Sequence, residues 1–159
     1  MEKKCIFLAL GGPTEQMEKR MSVLKNQAGP QSLFVLTGYA GELKFMENAL
    51  GLQKNFIEIP SYDTVSNIQN CVYILSQADN IVYSTSELHH ERIEAVCKKY
   101  YPYLLQRLVW IPSEEKEVKY AKLSLKIYRL SPKFLRIFSI PIRWKRFWRE
   151  YYLPIINHH

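Results

Sequence analysis

The sequence predicts an α/β domain built on a mainly parallel sheet of about five strands, with helices on both faces. Short apolar segments rich in β-branched and aromatic residues recur along it, and such segments are typical of buried strands. Between them lie longer stretches whose apolar residues recur at helical spacing. Short joints connect each predicted strand to the next helix, which indicates βαβ units with right-handed crossovers. A doubly wound, Rossmann-like sandwich of three layers is the simplest closure of this pattern.

The predicted elements alternate through the first 112 residues. Strands are predicted at residues 5–10, 32–37, 55–59, 80–85 and 107–111. Helices are predicted at residues 14–27, 42–52, 64–77 and 87–100. The third helix illustrates the spacing, because Ile68, Cys71 and Leu75 share one face. Residues 116–130 carry both helical and alternating spacings, and a helix is favoured there.

The charge is distributed unevenly along the 159 residues. The chain has 22 basic and 15 acidic side chains, a formal net charge of +7, and 47% of its residues are hydrophobic. This composition excludes a disordered or fibrous chain. Residues 1–115 hold 11 basic and 13 acidic side chains, whereas residues 116–159 hold 11 basic and 2 acidic ones. We therefore predict a globular domain over residues 1–115, followed by a basic, aromatic-rich helical extension over residues 116–159 that packs on the same domain.

The cysteines and the N-terminus indicate a cytoplasmic protein. Cys5, Cys71 and Cys97 are odd in number and each lies in an apolar stretch, as reduced core thiols do. The first apolar run ends after six residues at Gly11, which is too short for a signal sequence or a membrane span. The terminal pair His158 and His159 is given no role.

Small and polar residues follow each predicted strand that leads into a helix. Open parallel sheets bind ligands at the carboxyl ends of their strands, beside helix N-termini. Each loop by itself also has a structural explanation, because glycines ease turns and Asp63 or Ser86 could simply cap a helix. The predicted ligand-binding residues are Gly11, Gly12, Gly38, Glu42, Ser61, Asp63, Thr64, Asn67, Thr85 and Ser86.

Two residues at the start of the fourth helix are the candidates for chemistry. His89 and Arg92 are three positions apart and share a helix face. Arg92 would bind a phosphate or carboxylate, and His89 would act as general acid or base. The structural alternatives are a histidine bonded to a neighbouring loop and a salt bridge from Arg92 to Glu87 or Glu91.

A metal site is not predicted. Adjacent helical residues such as His89 and His90 diverge by about 100°, so they cannot share one ion. The sequence also contains no HExxH, Walker lysine or GxGxxG motif.

Several of these residues occur in an order found in a known family. The order runs through Gly11 and Gly12, Arg20, Thr37 and Gly38, Glu42 with Met46, SYDTVSN at 61–67 and TSELHHER at 85–92. It resembles the YdcF-like family, with its SanA- and ElyC-type envelope proteins, over roughly residues 5–113. The last two segments resemble the family's S-x-N-T-x-x-N and T-S-x-x-H-x-x-R motifs, with Asp63 in place of the first asparagine. The resemblance implies a Rossmann-like domain with one polar pocket at the strand ends, a nucleotide-like ligand such as S-adenosylmethionine, and a link to envelope metabolism.

The leading functional hypothesis is a small-molecule binding site at the strand ends. We expect a nucleotide-like or phosphorylated ligand, with transferase or hydrolase chemistry as the enzymatic option. Gly11, Gly12 and Gly38 would let the ligand approach the backbone, and Glu42 and Asp63 would hold a sugar hydroxyl. Serine, threonine and asparagine side chains of the loops would supply hydrogen bonds.

The basic extension supports an alternative hypothesis. Residues 141–152 predict a short cationic amphipathic helix with aromatic residues on one face. Such a helix packs on its own domain, or docks through residues 133–159 on an anionic membrane or a protein partner. Nucleic acid is not an expected partner, because no base-stacking platform or reading motif accompanies the charge. No oligomeric state follows from the sequence.

Overall fold

The computed structural model describes residues 4–51 and 55–114. Five strands, four α-helices and one 3-10 helix follow one another along this part of the chain. The strands are β1 (Cys5–Leu10), β2 (Leu33–Gly38), β3 (Asn55–Pro60), β4 (Asn80–Thr85) and β5 (Leu108–Pro112). The α-helices are α1 (Thr14–Gln27), α2 (Ala40–Leu50), α3 (Thr64–Leu75) and α4 (Glu87–Tyr100), and the 3-10 helix spans Pro102–Arg107.

The strands form one parallel sheet in the order β3-β2-β1-β4-β5. Alternate residues of a strand point to opposite faces, so each face has its own core. On one face Ile6, Leu8 and Tyr83 pack with residues of α3 and α4. On the other face Phe7 and Phe34 pack with residues of α1 and α2. The predicted Rossmann-like α/β fold with helices on both faces is therefore confirmed.

The second helix begins and ends two residues earlier than predicted, because local interactions define its ends. The Glu42 carboxylate accepts a hydrogen bond from the Tyr39 N–H at 2.9 Å, which lets the helix start at Ala40. Gly51 follows the helix with φ of 73°, a left-handed conformation that favours glycine and ends the helix. Strand boundaries differ from the prediction by one residue at most at each end.

Two of the three cysteines are core residues, as predicted. Cys71 and Cys97 are buried between the sheet and the helices, and burial raises the pKa of each thiol to about 12. Cys5 lies at the beginning of β1 and is only partly buried. All three are free thiols.

The predicted extension over residues 116–159, with its cationic helix, lies outside the described residues. The predicted domain boundary at residue 115 also lies there. Within residues 4–51 and 55–114, no helix has the length and apolar character that a membrane crossing needs.

Candidate functional site

Polar side chains converge where the loops after two neighbouring strands separate. The chain leaves β1 toward α1 on one face of the sheet and leaves β4 toward α4 on the other. Such a point, where the direction of winding reverses, opens a crevice at the carboxyl ends of the strands. His89 lies in this crevice, and its neighbours come from both faces.

His89 is held through both nitrogens of its ring. Its Nδ1 lies 2.9 Å from the Thr85 Oγ1 and 3.4 Å from an Nη2 nitrogen of Arg20, and its Nε2 lies 3.2 Å from the Thr64 Oγ1. A guanidinium can only donate, so Nδ1 is the acceptor and Nε2–H donates to Thr64. These bonds describe a neutral imidazole with one defined tautomer.

The surroundings of His89 favour the same neutral form. Burial, the positive charge of Arg20 and that of Arg92 hold its pKa well below the usual 6.5, in that order of importance. His89 is therefore a neutral hydrogen-bonding group near pH 7. It can act as a general base only if the proton it receives is stabilised by a negative charge in the crevice.

Arg20 is the site residue that the prediction of ligand-binding residues missed. Its side chain is only 2% exposed, and Nη1 donates to the carbonyls of Leu10 at 3.1 Å and Gly11 at 3.0 Å. Its Nη2 donates to the Gln16 Oε1 at 3.1 Å and approaches His89. The helical spacing of the sequence could have identified this residue, because Arg20 follows Met17 by three positions on the buried face of α1. A charge on such a face requires dedicated partners.

Arg92 contributes a second positive charge near His89. It lies one turn after His89 on α4 and is partly buried. Its charge contributes to the lowered pKa of His89, which brings the two predicted residues together electrostatically. Arg20 on α1 and Arg92 on α4 thus act on one imidazole from helices on opposite faces of the sheet.

The predicted glycines lie beside protein side chains. A Cβ atom on Gly38 would lie 2.6 Å from the Glu42 Oε2 and 3.1 Å from the Gly11 Cα, and one on Gly11 would also meet the Glu42 carboxylate. A Cβ atom on Gly12 would lie 3.1 Å from the Arg20 Nη1. The missing side chains therefore make room for Glu42 and Arg20. The Glu42 carboxylate is buried and accepts from the Tyr39 N–H.

Three buried side chains join β2 to the start of α3. Thr37 Oγ1 donates to the Ser61 Oγ at 2.9 Å, and Ser61 in turn donates to the Asn67 Oδ1. All three side chains are buried, and the two hydroxyl groups and the Asn67 Oδ1 are satisfied by one another. The structure thus brings the predicted residues Ser61 and Asn67 together, with Thr37 as a partner that the prediction of site residues did not include.

Two of the predicted loop residues occupy helix caps. Asp63 caps α3, because its Oδ1 accepts from the Ser66 N–H at 2.7 Å, which confirms the structural alternative for this residue. Ser66 Oγ accepts from the N–H groups of Tyr62 and Asp63, both at 2.9 Å. Ser86 holds the cap position of α4, but its side chain makes no capping bond, so the proposed cap role of its hydroxyl is wrong.

His90 belongs to a separate cluster. Its ring stacks on Trp110 with 4.1 Å between the centroids, and its Nδ1 lies 2.6 Å from the Tyr83 hydroxyl. Its Nε2 lies 3.6 Å from a carboxylate oxygen of Glu94. Adjacent histidines therefore have different partners, as their divergence on the helix predicts. Within the residues that the structure describes, no three His, Cys, Asp or Glu side chains are grouped so that they could hold a metal ion.

A scan against protein-family models matches no family, and a search of the curated proteins matches no relative.

The lowered pKa of His89 predicts how stability changes with pH. The unfolded chain takes up a proton near pH 6.5, while the folded chain does so only at lower pH. The unfolded state therefore binds more protons below pH 6.5, and the free energy of unfolding falls as the pH is lowered through this window. We expect His89→Asn to reduce the slope of the free energy of unfolding against pH between about pH 5 and pH 7.5. The reduction corresponds to at most one proton per molecule. Urea unfolding at each pH measures it, and equal slopes for both proteins would contradict the prediction.

Proposed function

We propose that this protein binds a small anionic ligand, phosphorylated or nucleotide-like, in the crevice beyond the carboxyl ends of β1 and β4. One observation carries the proposal. A neutral His89 lies at the point where the sheet reverses its winding, and the positive charges of Arg20 and Arg92 act on it there. Guanidinium groups bind phosphate and carboxylate oxygens through paired hydrogen bonds. The neutral imidazole of His89 adds no negative charge that would repel the anion.

The acidic residues of the same loops, Glu42 and Asp63, are compatible with a bound anion, because both carboxylates bind backbone N–H groups of the protein. The Glu42 carboxylate is engaged at the start of α2, and the Asp63 carboxylate accepts from the first turn of α3. The positive charges of Arg20 and Arg92 are the ones that act on His89. The excess of positive charge around His89 favours a phosphorylated ligand over S-adenosylmethionine. The sulfonium group of S-adenosylmethionine would add a positive charge beside two guanidinium groups.

An enzymatic role follows from the same arrangement. A bound anion would offset the charges of Arg20 and Arg92 and thereby raise the pKa of His89 toward its usual range. His89 would then exchange a proton with the ligand, as transfer or hydrolysis of a phosphorylated group requires. The YdcF-like resemblance of residues 61–67 and 85–92 favours the same crevice and an envelope-related substrate.

Ligand binding by the full chain tests the proposal. Isothermal calorimetry and thermal shift would be measured with inorganic phosphate, nucleoside phosphates, nucleotide sugars and S-adenosylmethionine. We expect a phosphorylated compound to bind, and Arg92→Ala to weaken it by about tenfold or more, because a charge-assisted hydrogen bond is lost. His89→Ala is expected to weaken it less and to abolish any turnover.

The matched control is Lys98→Ala, which removes the same charge from an exposed position of α4. It should bind as the wild type does. Equal losses in Arg92→Ala and Lys98→Ala would show a general effect of net charge and overturn the proposal. So would unchanged binding in a folded Arg92→Ala protein.

A further inference from the structure

An exposed tyrosine lies at the same edge of the sheet as the crevice. Tyr62 follows β3, and 59% of its surface is exposed, so its ring is accessible to a ligand. Its ring meets that of Tyr39, which follows β2, edge to face with 5.3 Å between the centroids and 70° between the planes. Tyr39 itself is only 6% exposed. The buried ring thus supports the exposed one.

The backbone around this pair is also held. The Tyr62 N–H donates to the Ser66 Oγ at 2.9 Å, and the Tyr39 N–H donates to the Glu42 Oε2 at the same distance. Both donors lie at the start of a helix, so these bonds fix the backbone of both residues, and the edge-to-face contact holds the two rings against each other. An aromatic face that is ordered before binding loses little entropy when a planar group stacks on it.

Tyr62 lies near enough to the crevice for a single ligand to reach both. Thr64 follows Tyr62 by two residues, so the Cα atoms of Tyr62 and Thr64 are at most about 7 Å apart. The side chain of Thr64 contacts His89 in the crevice. In the sheet, β3 lies two strands from β1 and three from β4, which corresponds to about 10 Å and about 14 Å. A nucleoside 5′-phosphate places its base and its phosphate on opposite sides of one sugar ring, so it can extend from the Tyr62 ring toward the β1 side of the crevice.

We infer that Tyr62 is a specificity-determining residue that stacks on the base of a nucleoside phosphate, whose phosphate binds near Arg20 and Arg92. The inference rests on the proposed function and narrows it, because it selects a nucleotide over a sugar phosphate. Every base has a π face, so the stacking contact would accept purines and pyrimidines. Tyr39 has a supporting role, because its buried ring packs edge to face on that of Tyr62.

Calorimetry with two classes of probe tests this inference on the full chain. The probes are adenosine and uridine 5′-monophosphate, which carry a base, and ribose 5-phosphate, which does not. We expect the wild type to bind both nucleotides about tenfold more tightly than ribose 5-phosphate, since stacking of one base on an aromatic side chain has this magnitude. Tyr62→Ala should remove that advantage and leave ribose 5-phosphate binding unchanged, and Tyr62→Phe should retain it.

The control variant is Tyr73→Ala. Tyr73 is also exposed, by 77%, but lies near the far end of α3. It should bind all three probes as the wild type does. If Tyr62→Ala keeps the preference for nucleotides, or weakens ribose 5-phosphate equally, the inference is wrong while the proposed anion site stands. If the wild type binds none of the three probes, the proposed site fails and the inference fails with it.

Discussion

Replacing Gly11 with alanine is expected to lower the free energy of unfolding by about 3 kcal/mol, at the upper end of what overpacking costs. The new methyl group would collide with the Glu42 carboxylate and would come within 2.9 Å of the Gly38 Cα. Neither can retreat cheaply, because Glu42 holds the first turn of α2 and Gly38 is backbone at the end of β2. Thermal unfolding should show a loss of about 10 °C.

Gly41→Ala is the matched control. Gly41 lies in the first turn of α2, and no atom lies within 4 Å of the position that its Cβ would take. This change should raise the free energy of unfolding by up to about 1 kcal/mol, because alanine favours the helix.

The Gly11→Ala effect should be smaller in a Glu42→Ala background, since the carboxylate that the methyl group meets is then absent. A double-mutant cycle without coupling between positions 11 and 42 would contradict the packing argument, as would a Gly11→Ala protein as stable as Gly41→Ala.

Arg20→Ala should have an effect of similar size, a loss of about 3 kcal/mol in the free energy of unfolding. The change leaves the carbonyls of Leu10 and Gly11 without their donor and empties a buried volume beside His89. It also removes a positive charge that lowers the pKa of His89. We therefore expect that pKa to rise toward 6.5 in the variant.

Urea unfolding measures the first effect, and an NMR titration of the His89 ring protons measures the second. The control is Lys25→Ala in the last turn of α1, where the exposed side chain donates to the Ala49 carbonyl. It should change stability by less than about 0.5 kcal/mol. An Arg20→Ala protein with wild-type stability and an unchanged His89 titration would show that Arg20 does not hold the crevice together.

Prediction from the sequence succeeded where a short-range pattern reports directly on burial. Strand β1 has the predicted bounds because its apolar run is continuous, and helices α1 and α4 have theirs because their buried residues recur at helical spacing. The ends of α2 were wrong by two residues. They depend on a bond from the Glu42 carboxylate back to Tyr39 and on the φ of Gly51, which no periodicity records.

The site was predictable in its position but only partly in its members. Thr64, Thr85, His89 and Arg92 were predicted and lie together, because parallel strands bring their following loops to one edge. Asp63 proved to be a cap, and Gly11 and Gly38 accommodate Glu42. Arg20 was missed as a site residue, since a helix face that is otherwise apolar first suggests core packing.

The sequence by itself determined the α/β class, the alternation of strands and helices, and the edge of the sheet at which polar residues collect. These follow from side-chain periodicity and from the handedness of βαβ units, which are local rules. Only the tertiary structure decided that Arg20 and Arg92 act together on a neutral His89 and that Tyr39 supports Tyr62. The strand order placed α1 and α4 on opposite faces beside one crevice, so residues 69 positions apart in sequence meet there. Contacts of this kind depend on the packing of whole elements, and so does the desolvation that keeps the imidazole neutral.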